Sequence, residues 1–505
     1  RLCRDWSSDV CSSDLTMNAG IFKLVFSKRL GMFVPMAEAL PAKHGGGVCR
    51  SRNGKTGFRT RIVGLAGAVI LALSSFASPV GVRLASAQTL ILPDGRTQTV
   101  VGNTGTVYNV STSTTSGSNA FNSFSAFNVG SGNTVNLHVP SASTNLINIV
   151  RDQRTEIYGI LNAIKDGRIG GNVWFANPHG FVVGASGVVN VGSLTVTTPT
   201  QAFVDGFFTD GASVGQLMGG TAPRNTSGLI SIQGKVNAID GVKLDTGSVA
   251  VAGAIYSGAR FVGSAPDFSD VVNANGLDAA TNVVVREGRI EIVADQDVTV
   301  SGTITTPGGA GVRGGDISIR AGRDVELRSG TNISASGNGE NSAGGTVNIW
   351  ADNNATTRTG ALVDASAGSS GDGGAIEFSA SNAIDLAGGE FRAAAAHGQL
   401  GSVLIDPATV TVSADFYSGG AHHTIIADES ITVDPGVVVS TRNVAGGSGA
   451  NQDSATSLGN SGNLALQAAT ISLKSGSKLL AAADNGFTGG DVTLKATRNW
   501  TGEAK

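Results

Sequence analysis

Three copies of one seven-residue pattern decide the fold of this chain. They are Gly315-Asp-Ile-Ser-Ile-Arg-Ala321, Gly345-Thr-Val-Asn-Ile-Trp-Ala351 and Gly374-Ala-Ile-Glu-Phe-Ser-Ala380. Each begins with glycine and then alternates apolar and polar residues, which is the period of a strand with one buried face. The lead glycines are 30 and 29 residues apart, and two more copies begin 28 residues apart, at Gly462 and Gly490.

Two further short strand-like segments follow each copy, such as Val325-Glu-Leu327 and Thr331-Asn-Ile-Ser-Ala335. Three short strands in each repeat, with no helix, indicate an all-β chain folded as a right-handed parallel β-helix, or solenoid. We expect Ile317, Val347 and Ile376 to share one inward column, because each lies two residues after its lead glycine. Gly and Asn at the corners are expected to adopt positive φ. The alternative is a β-sandwich, which predicts irregular hairpins.

The composition supports this reading. Gly provides 72 of the 505 residues, while charged residues make up 14% and aromatic residues 5%. The scarcity of strong helix formers argues against a helical bundle. A hydrophobic fraction of 41% with a net charge of −3 argues against disorder, and the absence of a three-residue glycine period excludes collagen.

The first 87 residues differ from the rest. We interpret residues 1–16 as a translated sequencing-adapter artefact and residues 17–87 as an extended signal peptide. Within the latter, a basic stretch at 50–61 precedes a twelve-residue apolar run from Ile62, too short for a bilayer span of about 20 residues. Ala85 and Ala87 then supply the small residues that signal peptidase requires, so we expect cleavage after Ala87.

Charge and cysteine content change at this point. Residues 1–87 contain 12 Lys and Arg against 4 Asp and Glu, whereas residues 88–505 contain 23 against 34. The acidic mature chain therefore makes nucleic acid a poor partner. All three cysteines precede residue 88, so we expect no disulfide in the mature protein.

Four motifs in the mature chain resemble one family. They are Asn177-Pro178-His179-Gly180, Val189-Asn-Val-Gly-Ser-Leu-Thr-Val-Thr-Thr198, Phe124-Ser-Ala-Phe-Asn-Val129 and Leu404-Ile-Asp-Pro407. Together they resemble two-partner-secretion exoproteins of the filamentous haemagglutinin type. Residues 17–45 of this chain also resemble the signal-peptide region of that family. The family's first tetrapeptide, Asn-Pro-Asn-Leu, is Ser143-Thr-Asn-Leu146 here, and His179 stands where the family has Asn.

The resemblance implies a domain organisation and a function. It makes residues 88–209 an N-terminal secretion domain that caps the β-helix, and residues 210–505 a β-helical repeat stem. Because the last repeat begins at Gly490 with one strand before the sequence ends, we expect the stem to be truncated at its C-terminus. The implied function is a secreted or surface-exposed adhesin or haemagglutinin of a Gram-negative bacterium. Its implied partners are an outer-membrane transporter with periplasmic POTRA domains and an unknown glycan or protein receptor on a host cell or surface.

The turn residues have a physical role of their own. Pro178 fixes φ at the second turn position, Gly180 permits a tight turn, and Asn177 can bond to its own backbone as an Asx turn. With His179, they are predicted to shape the fold that the transporter engages, without carrying out chemistry.

No pattern indicates catalysis, a cofactor or a metal. We read His422-His423 as an exposed turn, because no third ligand stands nearby and adjacent strand residues point to opposite faces. A β-helical polysaccharide-active enzyme remains the first alternative function, and a clustered Asp/Arg/Lys groove would favour it. The second alternative is the stalk of a contact-dependent toxin whose effector end is missing.

Overall fold

A computed structural model of the chain describes residues 23–27, 32–36, 88–258, 287–444, 447 and 451–498. The chain divides into two compact units, residues 1–81 and 82–505. In the first unit, strands β1 (Lys23–Ser27) and β2 (Met32–Met36) pair antiparallel. The remaining strands and both helices belong to the second unit.

Residues 88–258 contain short strands interrupted by one helical segment. The elements are β3 (Leu90–Pro93), β4 (Thr99–Thr104), β5 (Val107–Thr112), β6 (Thr115–Ser116), β7 (Asn119–Val129), β8 (Thr134–Val139), β9 (Asn145–Val150), β10 (Thr155–Ile157), β11 (Ile160–Lys165), β12 (Arg168–Ile169), β13 (Asn172–Ala176), β14 (Phe181–Val183), β15 (Val188–Thr197), α1 (Gln201–Gly206), α2 (Ser213–Met218), β16 (Leu229–Ile232), β17 (Lys235–Thr246), β18 (Ser248–Val251) and β19 (Ala254–Ser257).

Residues 287–498 continue with strands only. They are β20 (Arg289–Ala294), β21 (Val298–Val300), β22 (Thr303–Thr305), β23 (Asp316–Ala321), β24 (Asp324–Leu327), β25 (Asn332–Ser334), β26 (Thr346–Ala351), β27 (Asn354–Arg358), β28 (Leu362–Asp364), β29 (Ala375–Ala380), β30 (Ala383–Arg392), β31 (Ser402–Asp406), β32 (Thr409–Tyr417), β33 (His422–Ile426), β34 (Ser430–Val433), β35 (Val438–Ser440), β36 (Leu464–Ala468), β37 (Thr470–Leu473), β38 (Lys478–Leu480) and β39 (Val492–Ala496).

These strands stack as three parallel sheets, and each turn of the chain adds one strand to every sheet. Sheet 1 runs through β7, β9, β13, β15, β17, β20, β23, β26, β29, β31, β33, β36 and β39. Sheet 2 includes β10, β14, β16, β18, β21, β24 and β27, and sheet 3 includes β5, β8, β11, β19, β22, β25 and β28. The predicted all-β, parallel β-helical fold is confirmed.

The N-terminal end of the β-helix departs from parallel pairing. Strands β3 and β6 pair antiparallel with β7, and β4 pairs antiparallel with β5. These short strands lie against the first coil, where a parallel stack would otherwise present an unpaired edge.

The inward column predicted from the repeats is present. Ile317 pairs with Val347, and Val347 pairs with Ile376, in strict parallel register. All three side chains are at most 1% exposed. Each such side chain contributes about 1.5–3 kcal/mol through removal from water, and it does so only when both neighbouring coils are in place.

The lead glycines are required by close approach, which corrects part of the corner prediction. Gly315, Gly345 and Gly374 are absent from the residues with positive φ. A Cβ on them would stand 2.1, 2.0 and 2.0 Å from a carbonyl oxygen of the preceding coil, which belongs to Gly288, Gly315 and Gly345 respectively. Gly288 begins the segment Gly288-Arg-Ile-Glu-Ile-Val-Ala294 and is thus a lead glycine too. A side chain cannot fit at that distance. The expectation of positive φ holds at other corners, such as Gly330 and Gly360.

Two six-residue helices, α1 and α2, form an insertion between β15 and β16 that the sequence analysis missed. The sheets continue across this insertion, because β14 pairs with β16 and β15 pairs with β17. The division of the mature chain at residue 209 falls inside the insertion and stays a prediction about function. In the part of the chain that the structure describes, no helix is long and apolar enough to span a membrane.

His422 and His423 lie on β33, so their assignment to an exposed turn is wrong. Adjacent residues do point to opposite faces, as expected: His422 is exposed, whereas His423 is fully buried in the inward column of sheet 1. Val403 on the coil before and Leu464 on the coil after are its register partners.

The inward column yields a stability prediction. Ile317→Ala removes a buried side chain between two coils, and we expect it to lower the free energy of unfolding by about 2–5 kcal/mol. The exposed neighbour Ser318 is the control, because Ser318→Ala should change this free energy by no more than about 0.5 kcal/mol. Urea unfolding of the secreted mature protein measures both. Equal midpoints for the two variants would contradict the assigned register.

Candidate functional site

The predicted turn Asn177–Gly180 connects strand β13 of sheet 1 to strand β14 of sheet 2. The N–H of Gly180 donates to the carbonyl oxygen of Asn177 at 3.2 Å, which closes a β-turn with Pro178 at its second position. Asn177 is fully buried and His179 is exposed. The structure therefore brings the four motif residues together in one tight turn at a corner of the β-helix.

The side chain of Asn177 anchors the turn to the preceding coil. Its Nδ2 donates to the carbonyl oxygen of Gln153 at 2.8 Å and to Oγ1 of Thr155 at 2.9 Å. Its Oδ1 accepts the N–H of His179 at 2.9 Å, which is the predicted Asx turn. Because Asn177 and Thr155 are both fully buried, replacement of this amide leaves the Thr155 hydroxyl without that partner in the interior.

Gly180 and Pro178 connect the turn to the following coil. Gly180 has φ of +101°, and a Cβ there would lie 2.6 Å from the carbonyl oxygen of Leu229. Nδ2 of Asn225 donates to the carbonyl oxygen of Pro178 at 2.8 Å. Both backbone conformation and space thus restrict position 180 to glycine.

Arg151 links the turn to the N-terminal cap and to α1. Its carbonyl oxygen accepts Nε2–H of His179 at 2.9 Å, and its guanidinium lies 3.3 Å from both Asp94 and Asp205. Burial lowers the pKa of the Arg151 guanidinium, but hydrogen bonds to the two carboxylates outweigh this and raise it. The exposed imidazole of His179 therefore replaces the family's Asn without disturbing the buried part of the turn.

The segment Ser143-Thr144-Asn145-Leu146 stands at the family's first tetrapeptide and keeps its last two residues, Asn145 and Leu146. Asn145 donates from Nδ2 to Oδ1 of Asn119 at 2.7 Å and accepts from Nδ2 of Asn172 at 3.0 Å. Leu146 is fully buried in the inward core. The two residues that this chain shares with the family are thus the ones whose side chains bind the neighbouring coils.

A longer ladder of asparagine amides runs through five successive coils. Each Nδ2 donates to Oδ1 of the asparagine before it, at 2.9–3.2 Å, in the order Asn109, Asn136, Asn162, Asn190 and Asn237. At its first rung, Nε2–H of His138 donates to Oδ1 of Asn109 at 3.0 Å. Burial lowers the pKa of the His138 imidazole. The ladder is satisfied in one register only, because a shift of one residue removes every rung.

The helical insertion covers the outer face of sheet 1 next to the turn. Phe121, Ile147, Ile149 and Ala176 project from the sheet into a second apolar cluster, where they meet Phe203, Val204, Phe207 and Leu217 of the insertion. Ala176 immediately precedes Asn177. The turn is therefore packed between the inward core and this outer cluster.

The comparison with known families decides the identity. Residues 89–349 match the model of the TPS secretion domain. The chain belongs to the TPS secretion domain family. The family resemblance expected from the sequence is confirmed, and the chain is a two-partner-secreted exoprotein. The match runs across residue 209 into the repeats.

A solved structure supports the fold of this TPS exoprotein. The chain is similar to the crystal structure of the HMW1 secretion domain from Haemophilus influenzae, with a TM-score of 0.51 and 13% identity. The alignment covers 78% of this chain and 99% of that chain. A search of curated protein sequences finds no match.

Sequence reasoning missed the ladders and the insertion, although both left signals. Ladder partners are 26–28 residues apart at three of the four rungs, close to the 28–30-residue spacing of the later repeats. Before α1, Thr200 is an N-cap that accepts the N–H of Phe203, and Phe203, Val204 and Phe207 have helical spacing.

Two further sequence predictions concern the signal-cleavage residues and the metal sites. Ala85 and Ala87, the predicted cleavage residues, are outside the described residues. Among the residues that the structure describes, no group of three or more His, Cys, Asp and Glu is placed to hold a metal ion.

The long ladder leads to a second prediction. Asn162→Ala leaves Oδ1 of Asn136 and Nδ2 of Asn190 without partners in a buried position, so the free energy of unfolding should fall by about 2–5 kcal/mol. Asn103 is an exposed asparagine on β4, and Asn103→Ala is the matched control. Urea unfolding of both secreted variants is the measurement, and a stability of Asn162→Ala equal to the control would exclude a structural role for the ladder.

Proposed function

We propose that this TPS exoprotein is a filamentous adhesin, or haemagglutinin, that is secreted by a Gram-negative bacterium or exposed at its surface. The observation that carries the proposal is the combination of the TPS domain with a β-helix whose sheet 1 continues, through the described residues, as far as strand β39 (Val492–Ala496). Such a stem holds outward side chains of every coil at fixed spacing, which suits repeated contact with a receptor.

The outward face of sheet 1 supports a role in recognition. Ser318, Arg320, Asn348 and Trp350 project outward from β23 and β26 and are exposed. The indole of Trp350 is 37% exposed, and its Nε1–H donates to Oδ1 of Asp352 at 2.6 Å. A tryptophan held in one orientation on a polar surface is a common contact group at protein interfaces.

Export requires a partner, which we propose is an outer-membrane transporter with periplasmic POTRA domains. In this proposal the signal peptide is removed after Ala87 and the chain crosses the outer membrane unfolded. Folding outside begins in the secretion domain, where the turn at Asn177–Gly180 fixes the first coils. Each later coil then adds to a preformed edge, and this folding favours outward movement.

Export provides the test of the turn. Gly180→Val introduces a β-branched side chain at φ of +101° and 2.6 Å from a backbone oxygen. With the transporter co-expressed, we expect extracellular protein to fall at least about tenfold, since the strain costs about 1–3 kcal/mol before any steric shift. A periplasmic form should accumulate, and N-terminal sequencing should place its first residue at Gln88.

Gly102→Val is the matched control for this export experiment. Gly102 has no atom within 4 Å of an added Cβ and lies on strand β4 of the same domain. Its valine variant should reach the medium at the wild-type level. Wild-type secretion of Gly180→Val would show that the turn has no part in export.

The adhesin role is tested on the secreted protein. Beads coated with the mature protein should adhere to cultured epithelial cells and agglutinate erythrocytes, because the stem presents many equivalent coils to a receptor. Beads coated with albumin provide the baseline. Adherence and agglutination no greater than with albumin, for protein that is secreted normally, would reject the adhesin role and leave the export assignment intact.

A further inference from the structure

His423 interrupts an otherwise aliphatic inward column. The equivalent positions on neighbouring coils of sheet 1 are Val347, Ile376 and Val403 before it and Leu464 after it. All of these side chains are at most 1% exposed. Packing alone is satisfied by Val, Ile or Leu here, so it does not account for an imidazole.

Neither ring nitrogen of His423 has a hydrogen-bond partner among the described residues. Its ring packs against Phe416, with centroids 5.4 Å apart, and the phenylalanine rings of Phe391 and Phe378 continue the stack. A buried N–H and a buried lone pair without partners are costly, and natural cores rarely contain both on one side chain.

Among the residues that the structure describes, no charged group lies close enough to His423 to compensate a proton on the ring. The titratable residues on the strands packed around it are His422 on β33, Asp406 on β31, and Asp415 and Tyr417 on β32. His422, Asp406 and Asp415 are exposed, the hydroxyl of Tyr417 donates to Asp415, and β36 carries no titratable residue. Burial alone lowers the pKa of His423, to about 4.

We propose that His423 is an acid-sensitive latch, which opens the coil around β33 in an acidic medium and leaves the secretion domain closed. The solvent supplies the proton, which binds the free ring nitrogen. The resulting imidazolium has no anion or acceptor in the core, so it reaches water only when β33 separates from β31 and β36. Opening here makes residues 464–498 mobile relative to the coils before residue 406.

The direction of the pH dependence follows from linkage. The pKa of His423 is about 4 in the folded coil and 6.5 when exposed, so the open form binds more protons between these values. The contribution of a neutral His423 to closure is complete above about pH 6.5 and is lost as the pH falls towards 4. Between pH 7.5 and 5.0, the opening equilibrium should increase about 30-fold.

Hydrogen exchange of the secreted mature protein, read by mass spectrometry, tests the latch. After correction for the intrinsic pH dependence of exchange, peptides covering β33 and β36 should exchange about 30-fold faster at pH 5.0 than at pH 7.5. Peptides covering β9 and β13 should show no such change. His423→Leu, which places the residue of the next coil at this position, should remove the acid response, whereas His422→Leu should keep it.

Two outcomes would overturn the latch. One is an equal acid response in wild type and His423→Leu, and the other is an acid response spread evenly over all coils. If His423→Leu is not secreted, His423→Val replaces it, since valine stands at this position one coil earlier. A histidine-selective NMR titration of the wild-type protein is a second readout, and a His423 ring that protonates near pH 6.5 without local opening would also refute the proposal.

Discussion

Three successive coils of the repeat region each start with a backbone hydrogen bond to the glycine that leads the coil before. The N–H groups of Asp316, Thr346 and Ala375 donate to the carbonyl oxygens of Gly288, Gly315 and Gly345 at 3.0–3.1 Å. The same oxygens occupy the space where a Cβ of the next lead glycine would lie. The close spacing of the coils therefore requires glycine as the lead residue. The inward columns and the outer face both depend on this spacing.

Two kinds of side-chain contact hold the coils in register, namely apolar columns and asparagine ladders. An aliphatic column gains free energy from burial but tolerates exchange among Val, Ile and Leu, as Ile317 and Val347 illustrate. Asn162 and Asn190 are different, because their amides find partners in one register only. The ladders lie in the first coils, where the chain has few earlier coils to guide it. Later coils add to an edge whose register is already set.

The turn at Asn177–Gly180 lies where these constraints meet. The amide of Asn177 donates to Gln153 and Thr155 on one side, and Asn225 and Leu229 restrict the turn on the other. A change there is expected to disturb three coils together, which is the physical basis of the export role proposed for this turn. His423 differs from the turn in this respect, because its unsatisfied side chain is proposed to weaken a single coil of the stem.

The sequence by itself determined the coil. The spacing of Gly315, Gly345 and Gly374 and the alternation after each glycine are local signals, so they predicted the strands, the inward column and the fold class. The Asn177–Gly180 turn was equally local, because proline, glycine and an Asx side chain act within four residues. The family resemblance followed from such short motifs and was confirmed.

Only the tertiary structure decided how distant residues meet. Asn162 finds Asn136 and Asn190 because coils stack, and the spacing of 26 and 28 residues between these asparagines gains a meaning only from that stacking. The insertion around Phe203 became recognisable once an apolar outer face required a cover. The sequence analysis placed His423 with His422 in an exposed turn. Its burial follows from strand register, since the coils on either side determine which residues of β33 point inward. Side-chain environment in a solenoid is a property of neighbouring coils, and a local pattern does not contain it.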